Sequence, residues 1–209
     1  TVHVAAGTYE GFTVSGKSNL TILGAGDGQT FIAPTTLVNT GTGHKYTSNI
    51  LASVFVNEST GIKIEGITIK STSAAPGSGG ADAIVFWNAS TGEIKDSIIQ
   101  GTYTINGVQT GQGLAVDAGE SQTSSLTLTN TDISGFQKNA VDVVDGNALT
   151  GKSGTITLNM KGGVITGAGP TSTIAQNGIL FWNKGGGSMN GTVEGVTITG
   201  FNFVPASDD

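Results

Sequence analysis

The sequence contains no cysteine and no arginine, and both absences narrow what the protein can be. Without cysteine there is neither a disulfide nor a thiolate metal site. All nine basic residues are lysines, and 15 acidic residues bring the formal net charge to −6. Phosphate recognition depends largely on positive charge and on the forked guanidinium of arginine, so nucleic acid is not expected as a partner.

Charged residues, aromatic residues and long apolar runs are also scarce. Charged residues make up 11% of the chain and aromatic residues 6%. No stretch approaches the roughly 18 apolar residues of a membrane span. Glycine, with 34 residues, is about twice its usual share. A surface so poor in charge must be covered by hydroxyls and amides, as in many surface proteins. We therefore expect an extracellular or cell-surface location.

What the sequence does contain is a repeat. Isoleucines recur at spacings of 30, 34, 32 and 33 residues, at Ile69, Ile99, Ile133, Ile165 and Ile198. Three positions before each stands a residue that tolerates left-handed backbone, namely Gly66, Asp96, Asn130, Gly162 and Gly195. Self-similarity at a period of this size predicts a solenoid, in which each repeat packs against its neighbours.

Each repeat accommodates three strands. Apolar and polar residues alternate with a period of two between Gly, Asn and Asp, and helical periodicity is nearly absent. The first strands are predicted at residues 54–57, 84–88, 114–117, 141–145 and 179–183. Because parallel crossovers are almost always right-handed, the prediction is an all-β, right-handed parallel β-helix of about six rungs. The alternative, a β-sandwich or Greek-key barrel, would need antiparallel hairpins with short turns.

Residues 1–209 are expected to form a single domain with two irregular insertions. These insertions, residues 33–53 and 71–82, interrupt the repeat; the first contains His44. Since residues 1–4 already have the pattern of a strand, we expect the sequence to be a piece of a larger protein. Flanking domains of the same chain are then expected as partners.

The opening segment carries a more specific signal. Residues 1–12 read Thr-Val-His-Val-Ala-Ala-Gly-Thr-Tyr-Glu-Gly-Phe, and residues 19–32 read Asn-Leu-Thr-Ile-Leu-Gly-Ala-Gly-Asp-Gly-Gln-Thr-Phe-Ile. An Ala-Gly-x-Tyr turn followed by a strand ending in Gly-x-Gly resembles the first rungs of pectin lyase-like proteins. The resemblance implies a right-handed β-helix and, commonly, a polysaccharide ligand.

The resemblance does not extend to the catalytic motifs of that superfamily. Its lyases usually work with an arginine base, and its methylesterases also use an arginine. Of the polygalacturonase motifs, only Asn130-Thr131-Asp132 is present, and it falls on the turn before Ile133. We interpret it as a turn, because the backbone geometry there favours asparagine.

Stacking of the repeats places the five recurring isoleucines on one another as an inward ladder. This ladder also predicts which side chains of the first strands point outward. Asp117 and Asp142 point outward on adjacent rungs, between two rungs that each carry a Phe-Trp-Asn triplet. Their carboxyl groups are expected about 6–9 Å apart, which suits an inverting glycosidase. They are the candidate catalytic residues. The candidate substrate-binding residues on or beside this face are Trp87, Trp182, Phe55 and Lys138.

Functions from different classes fit this sequence. The first is a non-catalytic module of a secreted or cell-surface protein, a scaffold or adhesin with polysaccharide or cell-surface glycan as a partner. The outward stripe of Phe55, Val85, Trp87, Leu180 and Trp182, here called the aromatic stripe, would then be covered by an insertion, a neighbouring domain or another subunit. The second is a polysaccharide-degrading enzyme, a glycoside hydrolase or lyase, that uses the Asp117/Asp142 face.

A third function, ice or mineral binding, needs a flat threonine array that extends over many rungs. The outward threonines Thr127, Thr129, Thr155 and Thr157 provide such an array on two adjacent rungs only. No cofactor is expected, although Asp117, Asp142 and Asp145 carry the oxygen ligands that calcium prefers.

Overall fold

The structure is a computed structural model that describes residues 1–41, 50–72, 81–103, 109–147, 152–183 and 186–205. All of the regular secondary structure in these ranges is β-strand. The described ranges hold no helix long and apolar enough to cross a membrane. The prediction of an all-β protein is confirmed.

The strands are numbered in chain order. The first ten are β1 (Val2–Val4), β2 (Gly7–Tyr9), β3 (Phe12–Ser15), β4 (Thr21–Gly24), β5 (Thr30–Ile32), β6 (Val38–Asn39), β7 (Leu51–Asn57), β8 (Ile62–Glu65), β9 (Thr68–Lys70) and β10 (Ala81–Trp87). The others are β11 (Thr91–Gln100), β12 (Leu114–Asp117), β13 (Thr123–Ser134), β14 (Asn139–Val144), β15 (Gly146–Asn147), β16 (Lys152–Ser153), β17 (Thr155–Lys161), β18 (Val164–Thr171), β19 (Asn177–Trp182), β20 (Ser188–Glu194) and β21 (Thr197–Phe203).

Most of these strands belong to three stacks of parallel neighbours. The first stack runs β3-β7-β10-β12-β14-β19, and the second runs β1-β4-β8-β11-β13-β17-β20. The third runs β2-β5-β9, continues through the C-terminal parts of β11 and β13, and ends with β18-β21. The chain visits the second, third and first stacks in turn, so each coil lies on the previous one. This is the predicted parallel β-helix; its right-handed sense stays a prediction.

The bend between the second and third stacks depends on the predicted left-handed residues. All five have positive φ: +66° at Gly66, +46° at Asp96, +45° at Asn130, +68° at Gly162 and +64° at Gly195. The strands β11 and β13 run through this bend without interruption. Two predicted strands are therefore one bent strand in those coils. A side-chain hydrogen bond also connects the bends of these two neighbouring coils, since Asn130 Nδ2 donates to Asp96 Oδ1 at 3.1 Å.

The repeating isoleucines form the predicted inward ladder. Parallel pairing aligns Ile69, Ile99, Ile133, Ile165 and Ile198 in consecutive coils of the third stack. The first four are fully buried, whereas Ile198, in the last coil, is 49% exposed. Burying such a side chain contributes about 1.5–3 kcal/mol before conformational entropy is counted. The ladder is therefore a main source of stability in the interior coils.

The C-terminal boundaries of the two insertions differ from the prediction. Strand β7 begins at Leu51 and β10 begins at Ala81, so residues 51–53 and 81–82 belong to strands. The reason is that Leu51 and Ala81 pair with each other, which extends the ladder at its start. Within the first insertion, β6 pairs antiparallel with β7. Residues 42–49, which include His44, and residues 73–80 lie outside the described residues.

The ladder predicts that the same substitution lowers the free energy of unfolding by different amounts in an interior coil and in the last coil. Ile99→Ala removes a fully buried side chain and should lower the free energy of unfolding by about 2–5 kcal/mol. Ile198→Ala removes the equivalent side chain from the last coil, where half of it is exposed, and should cost clearly less. Urea unfolding followed by circular dichroism measures both values. Equal losses in the two variants would contradict the proposed role of stacking.

The bend predicts a change in the pKa of Asp96. The hydrogen bond from Asn130, and secondly that from Lys95, holds this pKa below its ordinary value. Asn130→Gly keeps the left-handed backbone but removes the amide, so the pKa of Asp96 should rise towards its ordinary value. An NMR titration of the carboxyl carbon measures it, and an unchanged pKa would refute the coupling.

The sign of the effect on stability follows from the direction of that shift. A lowered pKa in the folded state stabilises the protein above the pKa of an unfolded aspartate, and the stabilisation is lost as pH falls through the folded pKa. The stability difference between wild type and Asn130→Gly should therefore shrink in acid. The control is Asn130→Ala, which removes the same amide as Asn130→Gly. It keeps a Cβ in left-handed backbone, which costs about 1 kcal/mol at any pH.

Candidate functional site

The candidate face is the outward side of the first stack. Strand pairing aligns Trp87, Asp117, Val144 and Trp182 in one column across β10, β12, β14 and β19. The neighbouring column contains Val85, Ala115, Asp142 and Leu180. Both tryptophans therefore lie in one column. Asp117 and Asp142 lie on adjacent strands with the two-residue offset that the sequence predicted.

Much of this face is covered by the chain itself. A second apolar cluster, separate from the core inside the coils, consists of Phe55, Val85 and Ala115 with Ile50 and Ala52, and Val38 and Trp87 pack against it. Val38 and Ile50 come from the first insertion. At its Phe55 end, the aromatic stripe is thus a packing surface under that insertion.

The two candidate acids are almost completely buried. Asp117 is 3% exposed and Asp142 is 4% exposed. Asp117 Oδ1 accepts a hydrogen bond of 2.8 Å from the backbone N–H of Gly119. An aspartate that bonds the backbone two residues on shapes a turn. The geometry brings the acids together in register but keeps them away from solvent, and their catalytic role stays a prediction.

Asp145, considered from the sequence as a third calcium ligand, also accepts a hydrogen bond from the backbone. Asp145 is fully buried, and its Oδ2 accepts a hydrogen bond of 2.7 Å from the N–H of Gly187. Within the described ranges, no three or more His, Cys, Asp or Glu side chains are arranged to hold a metal ion. Asp117, Asp142 and Asp145 are therefore not gathered into a three-carboxylate cluster, and calcium binding stays a prediction.

The remaining candidate residues are all partly buried. Trp87 and Trp182 are both partly buried. Lys138, just before β14, is partly buried as well, and its Nζ donates a hydrogen bond of 2.7 Å to the carbonyl oxygen of Ala175. Burial lowers the pKa of Lys138. This ammonium group thus binds the chain itself, and its contact with an anionic sugar stays a prediction.

A polar ladder at the start of the first-stack strands was missed from the sequence. Gln112 N–H donates to Asp82 Oδ1 at 2.7 Å, and Asn139 N–H donates to Gln112 Oε1 at 2.9 Å. Asn177 Nδ2 then donates to Asn139 Oδ1 at 2.7 Å. Each of these four residues stands two positions before the first inward apolar residue of its strand. That recurrence was the signal that could have identified the ladder.

The outward face of the second stack does not continue the threonine pattern. Thr157 pairs with Ser125 on one side and Asn190 on the other. Thr127 pairs with Glu93 and Asn159. A regular threonine array is therefore interrupted on both sides, and ice or mineral binding gains no support.

The three parallel stacks define the chain as a parallel β-helix protein. Comparison with known protein families and with curated proteins gave no match. Among solved structures, the chain is similar to pectin methylesterase PemA from Erwinia chrysanthemi, with 18% sequence identity and a TM-score of 0.47. The similarity covers 83% of this chain and 51% of that chain, so this chain spans about half the length of the protein that it matches.

At that identity the likeness concerns the fold alone. The fold itself rests on the strand pairing described above. The parallel β-helix that the resemblance of the opening segment implies is confirmed by that strand pairing, and no residue role is transferred.

The polar ladder predicts a measurable contribution to stability. Gln112→Ala removes a buried side chain that accepts the Asn139 N–H, and leaving such a donor unpaired costs about 1–3 kcal/mol. The control, Gln122→Ala, changes an exposed glutamine and should alter the free energy of unfolding by less than about 0.5 kcal/mol. Urea unfolding compares the two. A neutral Gln112→Ala variant would contradict a structural role for the ladder.

Proposed function

We propose that this chain is a non-catalytic β-helical module of a secreted or cell-surface protein, in which it acts as a scaffold or adhesin segment. One observation carries the proposal. The two carboxyl groups that the sequence offers for catalysis are almost completely buried beneath the chain's own residues. A polysaccharide chain cannot reach them unless that cover is displaced.

The chemistry of glycoside hydrolysis supports this conclusion. One carboxyl group must protonate the glycosidic oxygen while the other reaches the opposite face of the sugar ring or a water molecule there. Asp117 instead bonds the backbone of its own turn. The lyase alternative lacks its usual arginine base, because the chain contains none.

The composition and the fold suit a scaffold. The coils form a continuous stack, and the outward face of its second sheet carries hydroxyl, amide and a few charged groups, such as Thr127, Asn159 and Glu93. On the second stack, ion pairs link neighbouring coils, as between Lys95 Nζ and Glu65 Oε1 at 3.0 Å. Such ion pairs contribute little to stability at an exposed surface. Their side chains remain available to contact partners, which we place among polysaccharides, cell-surface glycans and flanking domains.

The position of the two tryptophans supports polysaccharide binding separately. Trp87 and Trp182 are partly exposed and lie in the same outward column, three strand spacings apart. That places them about 14 Å from each other along the stack. Two indole rings at this distance suit an extended chain of sugars that lies along the helix axis.

The proposal predicts no turnover and no effect of removing the acids. Wild type, Asp117→Asn and Asp142→Asn should all leave neutral and anionic polysaccharides intact, as measured by reducing ends and by absorbance of unsaturated products. Circular dichroism confirms that each variant is folded. Activity in wild type that is lost in either variant would refute the proposal and establish the enzyme alternative. Binding without turnover that Trp182→Ala weakens would add glycan recognition to the scaffold.

A further inference from the structure

Trp87 lies at the corner where the strands of the first stack end. It is the last residue of β10, and strand pairing aligns it with Asn57 of β7 on one side and Asp117 of β12 on the other. Each of these three strands has a neighbour on both sides. Trp87 packs against the apolar cluster around Phe55 and is still partly exposed. Its side chain is therefore held by packing, while part of it remains open to a ligand.

A carboxylate lies directly beside Trp87, in the turn that follows β7. The backbone N–H of Glu58 donates to the carbonyl oxygens of Trp87, at 3.3 Å, and of Asn88, at 3.0 Å. Glu58 Oε1 in turn accepts a hydrogen bond of 3.0 Å from Asn88 Nδ2. Because Glu58 is exposed, its carboxylate is positioned by the neighbouring coil and still faces solvent.

Acidic groups also lie on the other side of Trp87. Asp117 is buried, its Oδ1 accepts the Gly119 N–H, and the half-buried Glu120 follows. Gly119 lies against the Asn88 side chain, since a Cβ added at this glycine would meet Asn88 Oδ1 at 2.5 Å. The turns of three neighbouring coils are therefore stacked at this corner, and the two outer coils both carry acidic residues there.

The charge around Trp87 is negative. Basic residues are absent from the three described turns at this corner, which are residues 58–61, 88–90 and 118–122. Lys17 lies one coil beyond Glu58, where its backbone N–H donates a hydrogen bond of 3.1 Å to Ser59 Oγ. The coils directly beside Trp87 thus contribute carboxylates to the corner and no ammonium group from these turns.

An indole ring with carboxylates beside it favours a positively charged ligand. The face of an indole attracts a cation, and a hydrogen bond between an ammonium group and a carboxylate is roughly twice as strong as a neutral one. An acidic sugar would be repelled by Glu58 and Glu120. Lys138, which could offset that repulsion, precedes the first residue of β14, whereas the column of Trp87 passes through the last, Val144.

We propose that the corner around Trp87 and Glu58 binds a polysaccharide that carries free amino groups. The inference rests on the polysaccharide binding proposed above and names the class of sugar. A sugar ring stacks on the indole of Trp87, its ammonium group binds the Glu58 carboxylate, and the partly exposed Asn57 amide is placed to bond a hydroxyl. Because the Glu58 carboxylate is exposed, salt weakens this binding.

Isothermal titration calorimetry with three hexasaccharides tests the class of sugar. The probes are a glucosamine hexamer in mildly acidic buffer, where its amino groups are protonated, its neutral N-acetylated counterpart and an anionic galacturonate hexamer. Wild type should bind the glucosamine hexamer about tenfold more tightly than the N-acetylated one, and the galacturonate hexamer not at all. Equal affinity for the first two would overturn this inference and leave polysaccharide binding intact, whereas binding of none would overturn both.

Matched substitutions separate a local site from general attraction between opposite charges. Glu58→Gln removes one charge but keeps an oxygen that accepts from Asn88, and should weaken binding of the glucosamine hexamer about tenfold. Glu93→Gln removes the same charge from the second stack, where Glu93 pairs with Lys63, and should leave binding unchanged. Equal weakening in the two variants would overturn the proposal.

A third variant tests the aromatic contact. Trp87→Leu keeps an apolar side chain against the Phe55 cluster but removes the indole ring, and it should also weaken binding of the glucosamine hexamer. Circular dichroism confirms that each variant is folded. Unchanged affinity in a folded Trp87→Leu variant would place the sugar elsewhere and would overturn the assignment of this corner.

Discussion

Every coil of this protein depends on being covered by the next one. Three short strands enclose too little volume to bury their own side chains, so an inward residue loses water only when the aligned residue of a neighbouring coil lies on it. Ile99 and Ile198 occupy the same position in their coils, yet one is fully buried and the other is half exposed. The left-handed bends and the polar ladder support this stacking, because the hydrogen bonds of each align one coil with the next.

The parts of the fold that were predictable are those set within one repeat. Inward columns follow from a period of two, and the bends follow from residues such as Asp96 and Asn130, which tolerate positive φ. The pairing of β6 with β7 was not predictable, because it depends on an insertion that folds back against a distant strand. The earlier start of β7 and β10 belongs to the same class, since Leu51 and Ala81 stabilise each other across coils.

In the candidate site, strand register could be predicted from the sequence, whereas solvent exposure could not. The offset of Asp117 and Asp142 could be predicted, because register is a property of the ladder. Their burial could not, because exposure depends on what lies over the strands. Phe55 illustrates this point: its outward direction follows from Val54 and Val56 pointing inward, but its cover comes from Val38 and Ile50 of the first insertion.

The polar ladder indicates what kind of surface the outer face of the first stack is. A binding cleft presents polar groups to its ligand, whereas an interior must satisfy them within the protein. Asp82, Gln112 and Asn139 are buried and bond one another from coil to coil. Asp82 pairs with Ala52 of the apolar cluster around Phe55, so ladder and cluster together make this face a second interior from β7 to β14. Interactions with other molecules are then expected on the remaining lateral faces and at the parts of this face where Trp87 and Trp182 are partly exposed.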